Sequence, residues 1–230
     1  MTPTESPRIR PIRSYVLRQG RITQAQQDAL DKLWPQFGVD ETRNFDAGTL
    51  FPRPAPLIVE IGFGNGESLV QMAAAMPEKN FLGIEVHRPG VGHLLLRVQD
   101  LGLTNVRVCC ADAVEVLSTR IADGELAGIQ IFFPDPWHKK RHHKRRLINN
   151  AFVELAGRKL APGGTFHAAT DWEHYATHVL EALESCGSLQ NAAGPGHFSE
   201  RPSYRPQTKF EARGQRLGHG VWDLIFVKRG

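Results

Sequence analysis

Leu57-Ile58-Val59-Glu60-Ile61-Gly62-Phe63-Gly64-Asn65-Gly66 is the stretch on which the fold turns. Residues 57–61 are a short apolar run stopped by glycine, the pattern of a strand buried on both faces. Glycines at 62, 64 and 66 allow a tight turn and let a ligand approach the backbone closely. Residues 66–76 then space Leu69, Met72, Ala73 and Met76 as a helix does and stop before Pro77. The unit is strand, glycine turn, helix.

The same alternation continues downstream. Strands are predicted over 81–86, 106–110, 129–133, 165–169 and 221–227. Helices are predicted over 89–101, 113–121, 147–160 and 172–185, with Gly102 and Pro162-Gly163-Gly164 as stops. Strands alternating with helices of this length imply a mostly parallel sheet with helices on both faces. Such sheets bind ligands at the carboxyl ends of their strands, so those ends are where functional residues are sought. Upstream, Thr23 is placed to cap a helix over 24–34, and the proline-rich residues 35–56 read as a connection. Residues 1–20 have no periodicity and carry Arg8, Arg10, Arg13 and Arg18; they read as a mobile basic arm on a single domain, 21–230.

The totals exclude several classes. At 230 residues the chain can bury a full core. Its three cysteines, Cys109, Cys110 and Cys186, make no disulfide framework, and a reducing cytoplasm is the expected location. No apolar run approaches the roughly 20 residues that span a bilayer. The net charge of +4 is local: six of the nine residues His138–Arg146 are Lys or Arg, and without those six the charge is −2. A basic patch on a near-neutral body points to a polyanionic partner.

The strand ends hold the candidate chemistry. Glu85 is placed where an acid can bond both ribose hydroxyls, and Asp112 can accept from an adenine amino group or cap a helix. Asp135 lies between two prolines, in a stiff turn at the end of the fourth strand. His138, His142 and His143 lack a second cluster at metal-ligand spacing, so no metal is expected. The glycine loop alone leaves a nicotinamide dinucleotide open. However, Glu67 stands where the dinucleotide pattern requires its third glycine.

With Glu60 before it, G-x-G-x-G resembles the first motif of S-adenosylmethionine methyltransferases. Pro134-Asp135-Pro136-Trp137 with the following basic run resembles the signature of bacterial tRNA (guanine-N7)-methyltransferases. Ala169-Thr170-Asp171-Trp172, the segment 205–214 with Thr208-Lys209-Phe210-Glu211, and 218–224 resemble further motifs of that family, and the likeness covers roughly residues 8–227. It implies a Rossmann-like S-adenosylmethionine methyltransferase fold with an antiparallel last strand. It also implies methyl transfer to N7 of the variable-loop guanosine at tRNA position 46. Glu60, Gly62, Gly64, Gly66, Glu85, Asp112 and Asp135 would line the cofactor site, with Asp135 as the catalytic residue. Lys139, Asp171, Thr208, Lys209, Phe210 and Glu211 would meet the substrate nucleotide. Arg141, His142, His143, Lys144, Arg145 and Arg146 would contact RNA. The expected partner is tRNA, with no DNA, membrane or obligate protein partner.

Overall fold

The computed structural model describes residues 13–15, 20–39, 47–207, 211 and 220–230. Among them, strands β1 (Leu57–Ile61), β2 (Asn80–Ile84), β3 (Val106–Cys109), β4 (Leu126–Phe132), β5 (Leu160–Thr170), β6 (Leu189–Asn191) and β7 (Trp222–Lys228) form one sheet in the order β3-β2-β1-β4-β5-β7-β6. β1 to β5 pair in parallel, and β7 is antiparallel to both β5 and β6. The expected mostly parallel sheet with an antiparallel last strand is what the chain forms.

Helices α1 (Gln24–Phe37), α3 (Glu67–Ala75) and α4 (Arg88–Asp100) cover one face; α5 (Ala113–Thr119), α6 (Asn150–Lys159) and α7 (Glu173–Glu184) cover the other. A one-turn helix, α2 (Ala47–Leu50), precedes β1. Two apolar cores follow, one centred on Leu69, Phe81 and Leu94, the other on Ile129, Phe166 and Leu183. β1 and β2 are buried at all five positions each, as an apolar run without alternation requires.

The differences from expectation are local. Thr23 does cap α1, in a reciprocal box with Gln26. The helix runs past Pro35 to Phe37, because Leu30, Leu33 and Phe37 bury a stripe that outweighs one lost amide bond. β5 begins at Leu160, directly after α6, and pairs there with Leu126. Pro162-Gly163-Gly164 then bulge from the ladder before Thr165 meets Gly128. β6 is a three-residue edge strand, too short to show a period.

The chain reverses its direction of growth between β1 and β4, so the carboxyl ends of those two neighbouring strands flank the crevice where ligands bind in this architecture.

Candidate functional site

The glycine loop fills the β1 side of the crevice. Gly62, Gly64 and Gly66 have φ of 72°, 60° and 77°, a region that side chains rarely adopt. A Cβ at Gly62 or Gly64 would meet nothing within 4 Å, so the loop faces open space, whereas one at Gly66 would strike Leu94. The first two glycines therefore leave space open in front of the loop, and the third packs against α4.

Glu60 precedes this loop and is 2% exposed. Its Oε1 accepts the Ser68 hydroxyl at 2.7 Å, and its Oε2 has no hydrogen-bond partner. Burial pushes its carboxyl up to about 7; the Ser68 hydrogen bond opposes this and the charge of Glu85 adds to it. A buried acid with a bare oxygen beside an open glycine cradle suits a cationic amino group. The amino-acid portion of S-adenosylmethionine supplies such a group, so these residues fit that cofactor. Ionising Glu60 costs free energy in the unliganded fold, a cost absent below the ordinary carboxylate range and complete above pH 7. Cofactor affinity is therefore expected to fall several-fold from pH 7.5 to pH 6 as Glu60 takes up its proton. Glu60→Gln is expected to bind weakly with a flat profile, read by titration calorimetry at each pH.

Glu85 links the loop to β2. Its Oε1 accepts the amides of Val86 (2.7 Å) and His87 (3.0 Å), and its Oε2 accepts that of Gly64 (3.0 Å). One lone pair remains on Oε2, enough for one hydroxyl of a ribose rather than two. Asp112 caps α5, its Oδ1 accepting the amide of Val114 at 2.8 Å. Burial, and after it the charge of Asp112, push the Tyr15 hydroxyl up. Ser14 and Tyr15 line the cavity beside Gly62 and Glu85, a contribution that reading residues 1–20 as an arm did not anticipate. No periodicity marks them. Residues 1–12 and 16–19 lie outside the described residues.

Across the crevice a cavity of about 250 Å³ runs from Gly62 and Glu85 to Pro134 and Asp135. Asp135 is exposed there. Its loop is bracketed by Phe133 (φ 52°) and Trp137 (φ 48°), the only non-glycine residues at positive φ among those described. Each such residue costs on the order of 1–3 kcal/mol and persists only where its surroundings hold it. Here the Phe133 amide donates to the Ala169 carbonyl at 2.8 Å, and the Trp137 indole N–H donates to the Ser14 carbonyl at 3.3 Å. Arg146 Nε donates to the Pro136 carbonyl at 3.0 Å, with its guanidinium 5.0 Å from the Tyr175 ring centre. Arg146 is 2% exposed. This corrects its grouping with the RNA-facing cations: it lies beneath them and holds the Asp135 loop.

The rest of the basic run is a 3-10 helix, Lys140–Arg145. Lys139, Lys140, Arg141 and Lys144 are exposed, His142 and His143 are half-buried, and Arg145 lies over the Trp137 ring at 5.0 Å. Desolvation and then the charges of Arg141, Arg145, Lys139 and Lys144 hold the His142 imidazolium below its usual range, so the cations carry the positive field at neutral pH. Replacing Lys139, Lys140, Arg141 and Lys144 with Ser is expected to flatten the salt dependence of tRNA binding. The slope of log K against log salt should lose about 2–4 units, each phosphate contact counting for roughly 0.9. Binding measured from 50 to 200 mM salt, about the range in which such contacts dominate, checks this.

Asp171 is exposed just past β5, in the turn beside the Asp135 loop. Thr208, Lys209 and Phe210 lie outside the described residues. Glu211, expected at the nucleotide, is 1% exposed and bound to Arg205: Nη1 donates to Oε2 at 2.7 Å and Nη2 to Oε1 at 3.1 Å. Arg205 also grips Asp223 on β7, through Nε at 2.7 Å and Nη2 at 2.8 Å. Its guanidinium lies 5.7 Å from the Phe133 ring centre. Arg205 and Asp223 fall inside the quoted motifs, yet no property of either in isolation predicts that they pair.

A sheet of this order, with its glycine turn after β1 and its acids at successive strand ends, defines a Rossmann-like methyltransferase. Solved structures agree at the level of fold: a 16S rRNA methyltransferase, KamB, superposes with a TM-score of 0.56 over 93% of this chain and 97% of its own, at 11% identity. An antibiotic-resistance methyltransferase, Kmr, gives 0.52 over 91% and 95%, at 14% identity. A family model described as "Putative methyltransferase" matches residues 54–224. Among curated relatives, a protein of Methylococcus capsulatus is 60% identical over 94% of each chain, and one of Alcanivorax borkumensis is 56% identical over 96% of this chain and 93% of its own. Both are named tRNA (guanine-N(7)-)-methyltransferase. The chain belongs to the tRNA (guanine-N7)-methyltransferase family, as its Pro-Asp-Pro-Trp and basic-run resemblance implied.

Proposed function

We propose that this chain transfers the methyl group of S-adenosylmethionine to N7 of a guanine in tRNA, at position 46 of the variable loop. The observation that carries the reading is one cavity with Gly62 and Glu85 at one end and Asp135 at the other, with an exposed cationic turn following Asp135 in the chain.

The bound cofactor supplies an electrophilic methyl on a positively charged sulfur. Guanine N7 carries a lone pair and no proton, so the protein need not provide a general base. Its contribution is to hold N7 in line with the methyl carbon. The product base is cationic, and Asp135 or Asp171 would stabilise that developing charge. Either would also accept from the guanine N1–H and exocyclic amine, which selects guanine. The cationic turn supplies sequence-independent affinity for phosphates, and shape with an accessible loop base supplies the rest.

The test uses labelled S-adenosylmethionine with tRNA transcripts that carry G or A at position 46. Label on the G transcript alone supports the assignment; equal labelling of both, or of neither, overturns it.

A further inference from the structure

The fold leaves one indole uncovered beside the site. Trp172 is 40% exposed, although Tyr175, one turn further along α7, is wholly buried. Its backbone is fixed: its amide donates to the Thr170 hydroxyl at 3.3 Å, and its carbonyl accepts the amides of Tyr175 and Ala176, each at 2.9 Å. The ring therefore rests on the rigid start of a helix. It meets the His138 imidazole with centres 4.2 Å apart and planes at 74°. His138 lies three residues past Asp135, and Trp172 directly follows Asp171. With the Phe133 amide on the Ala169 carbonyl, the two turns run side by side, and the indole stands where the loops of the two carboxylates meet.

Trp137, the other indole here, is already engaged. Arg145 lies over its ring, His142 meets it edge-on at 5.9 Å, and its N–H is bonded to Ser14. Single exposed apolar residues are ordinary on protein surfaces. A tryptophan on a rigid helix start, directly after Asp171 and in ring contact with His138 of the Asp135 loop, is a different case, because loop bases drawn out of a nucleic acid are held chiefly by stacking on aromatic faces.

We propose that Trp172 is the stacking platform for the target guanine, a role that rests on the guanine-N7 reading above. The chemistry gives the contact a direction. The N7 lone pair forms the new N–C bond while the C–S bond breaks, its electron pair stays on sulfur, and no proton moves. The positive charge passes from sulfonium to purine. An indole face attracts a cation more than a neutral ring. The stack therefore tightens as the reaction proceeds, and interactions that strengthen towards the transition state raise kcat.

The experiment compares Trp172→Phe, Trp172→Leu and the wild type. Leu keeps apolar bulk without a π face. Trp172→Leu is expected to lower kcat by about 10- to 100-fold, the usual worth of one base stack. The KM for tRNA and the affinity for S-adenosylmethionine should stay within about twofold, because phosphate contacts and the glycine cradle supply them. Trp172→Phe should recover most of the rate. Calorimetry with 7-methylguanosine monophosphate gives a second readout: binding by the wild type and Trp172→Phe, and its loss in Trp172→Leu. Wild-type rate in Trp172→Leu, equal losses in the Phe and Leu variants, or unchanged nucleotide binding overturns the platform alone. A wild type that labels no tRNA guanine overturns the parent reading, and the platform with it.

Discussion

Asp135→Ala is expected to slow methyl transfer by about 100- to 1000-fold, the usual cost of removing one group aimed at developing charge. tRNA affinity should stay within about twofold. Asp135 is exposed at the mouth of the cavity and makes no ion pair among the described residues, so its loss leaves no buried charge behind. The cations proposed to meet phosphates are separate side chains on the following helix. Single-turnover transfer beside filter binding of the same tRNA separates the two effects. Asp135→Asn adds a finer distinction. An amide keeps one acceptor oxygen but loses the charge. If the carboxylate chiefly stabilises the cationic base, Asn should be nearly as slow as Ala. If it chiefly accepts from the guanine edge, Asn should recover a substantial part of the rate. An Asp135→Ala variant at wild-type speed would remove the residue from the chemistry.

Much of this site was legible from periodicity and from where glycines and acids fall on it. The apolar run 57–61 could only be a buried strand, and the positions of Glu60, Glu85, Asp112 and Asp135 follow once each strand end is located. What stayed hidden depended on contacts between distant segments. Arg146 and Lys144 look alike in a basic run, but one lies under the Asp135 loop and the other in solvent, and only the packing of α7 against that loop separates them. Ser14 and Tyr15 sit in a stretch with no period, and their place at the cavity is set by a bond from Trp137 to Ser14, 123 residues away. Glu85 illustrates an intermediate case. Its strand-end position was readable, yet the three backbone amides that occupy its carboxylate were not.

Arg205→Met is expected to destabilise the fold by about 3–5 kcal/mol, the range for removing one partner from a buried ion pair. Arg205 is 1% exposed and its guanidinium holds Asp223 and Glu211 at once, themselves 2% and 1% exposed. Met fills similar volume, so the loss comes from withdrawing the shared guanidinium from two buried carboxylates and not from a cavity, although Glu211 also has Arg201 at 4.0 Å. His167 cannot take over: it already binds Asp223 at 2.7 Å and the Tyr204 hydroxyl at 2.9 Å, and burial holds its imidazolium below the usual range. Urea unfolding is the measure, with the midpoint shifting at constant slope. Glu211→Gln added to Arg205→Met should recover part of the loss, because it removes one of the two buried charges that the guanidinium held. Acid gives an independent check. Burial pushes the Asp223 carboxyl up, but hydrogen bonds from His167 and Arg205 outweigh it and hold the group below its ordinary value. The stability it contributes is therefore complete above about pH 3.9, the unperturbed carboxylate value, and is lost as pH falls below it. Asp223→Asn should remove that acid-sensitive part. The consequence reaches the chemistry, because the guanidinium that holds Glu211 also packs on Phe133, two residues before Asp135. An Arg205→Met protein kept folded at low temperature should bind S-adenosylmethionine normally through Glu60 and the glycine cradle, yet transfer methyl slowly. If it were as stable and as fast as the wild type, the clamp would be an ion pair that neither the fold nor the site requires.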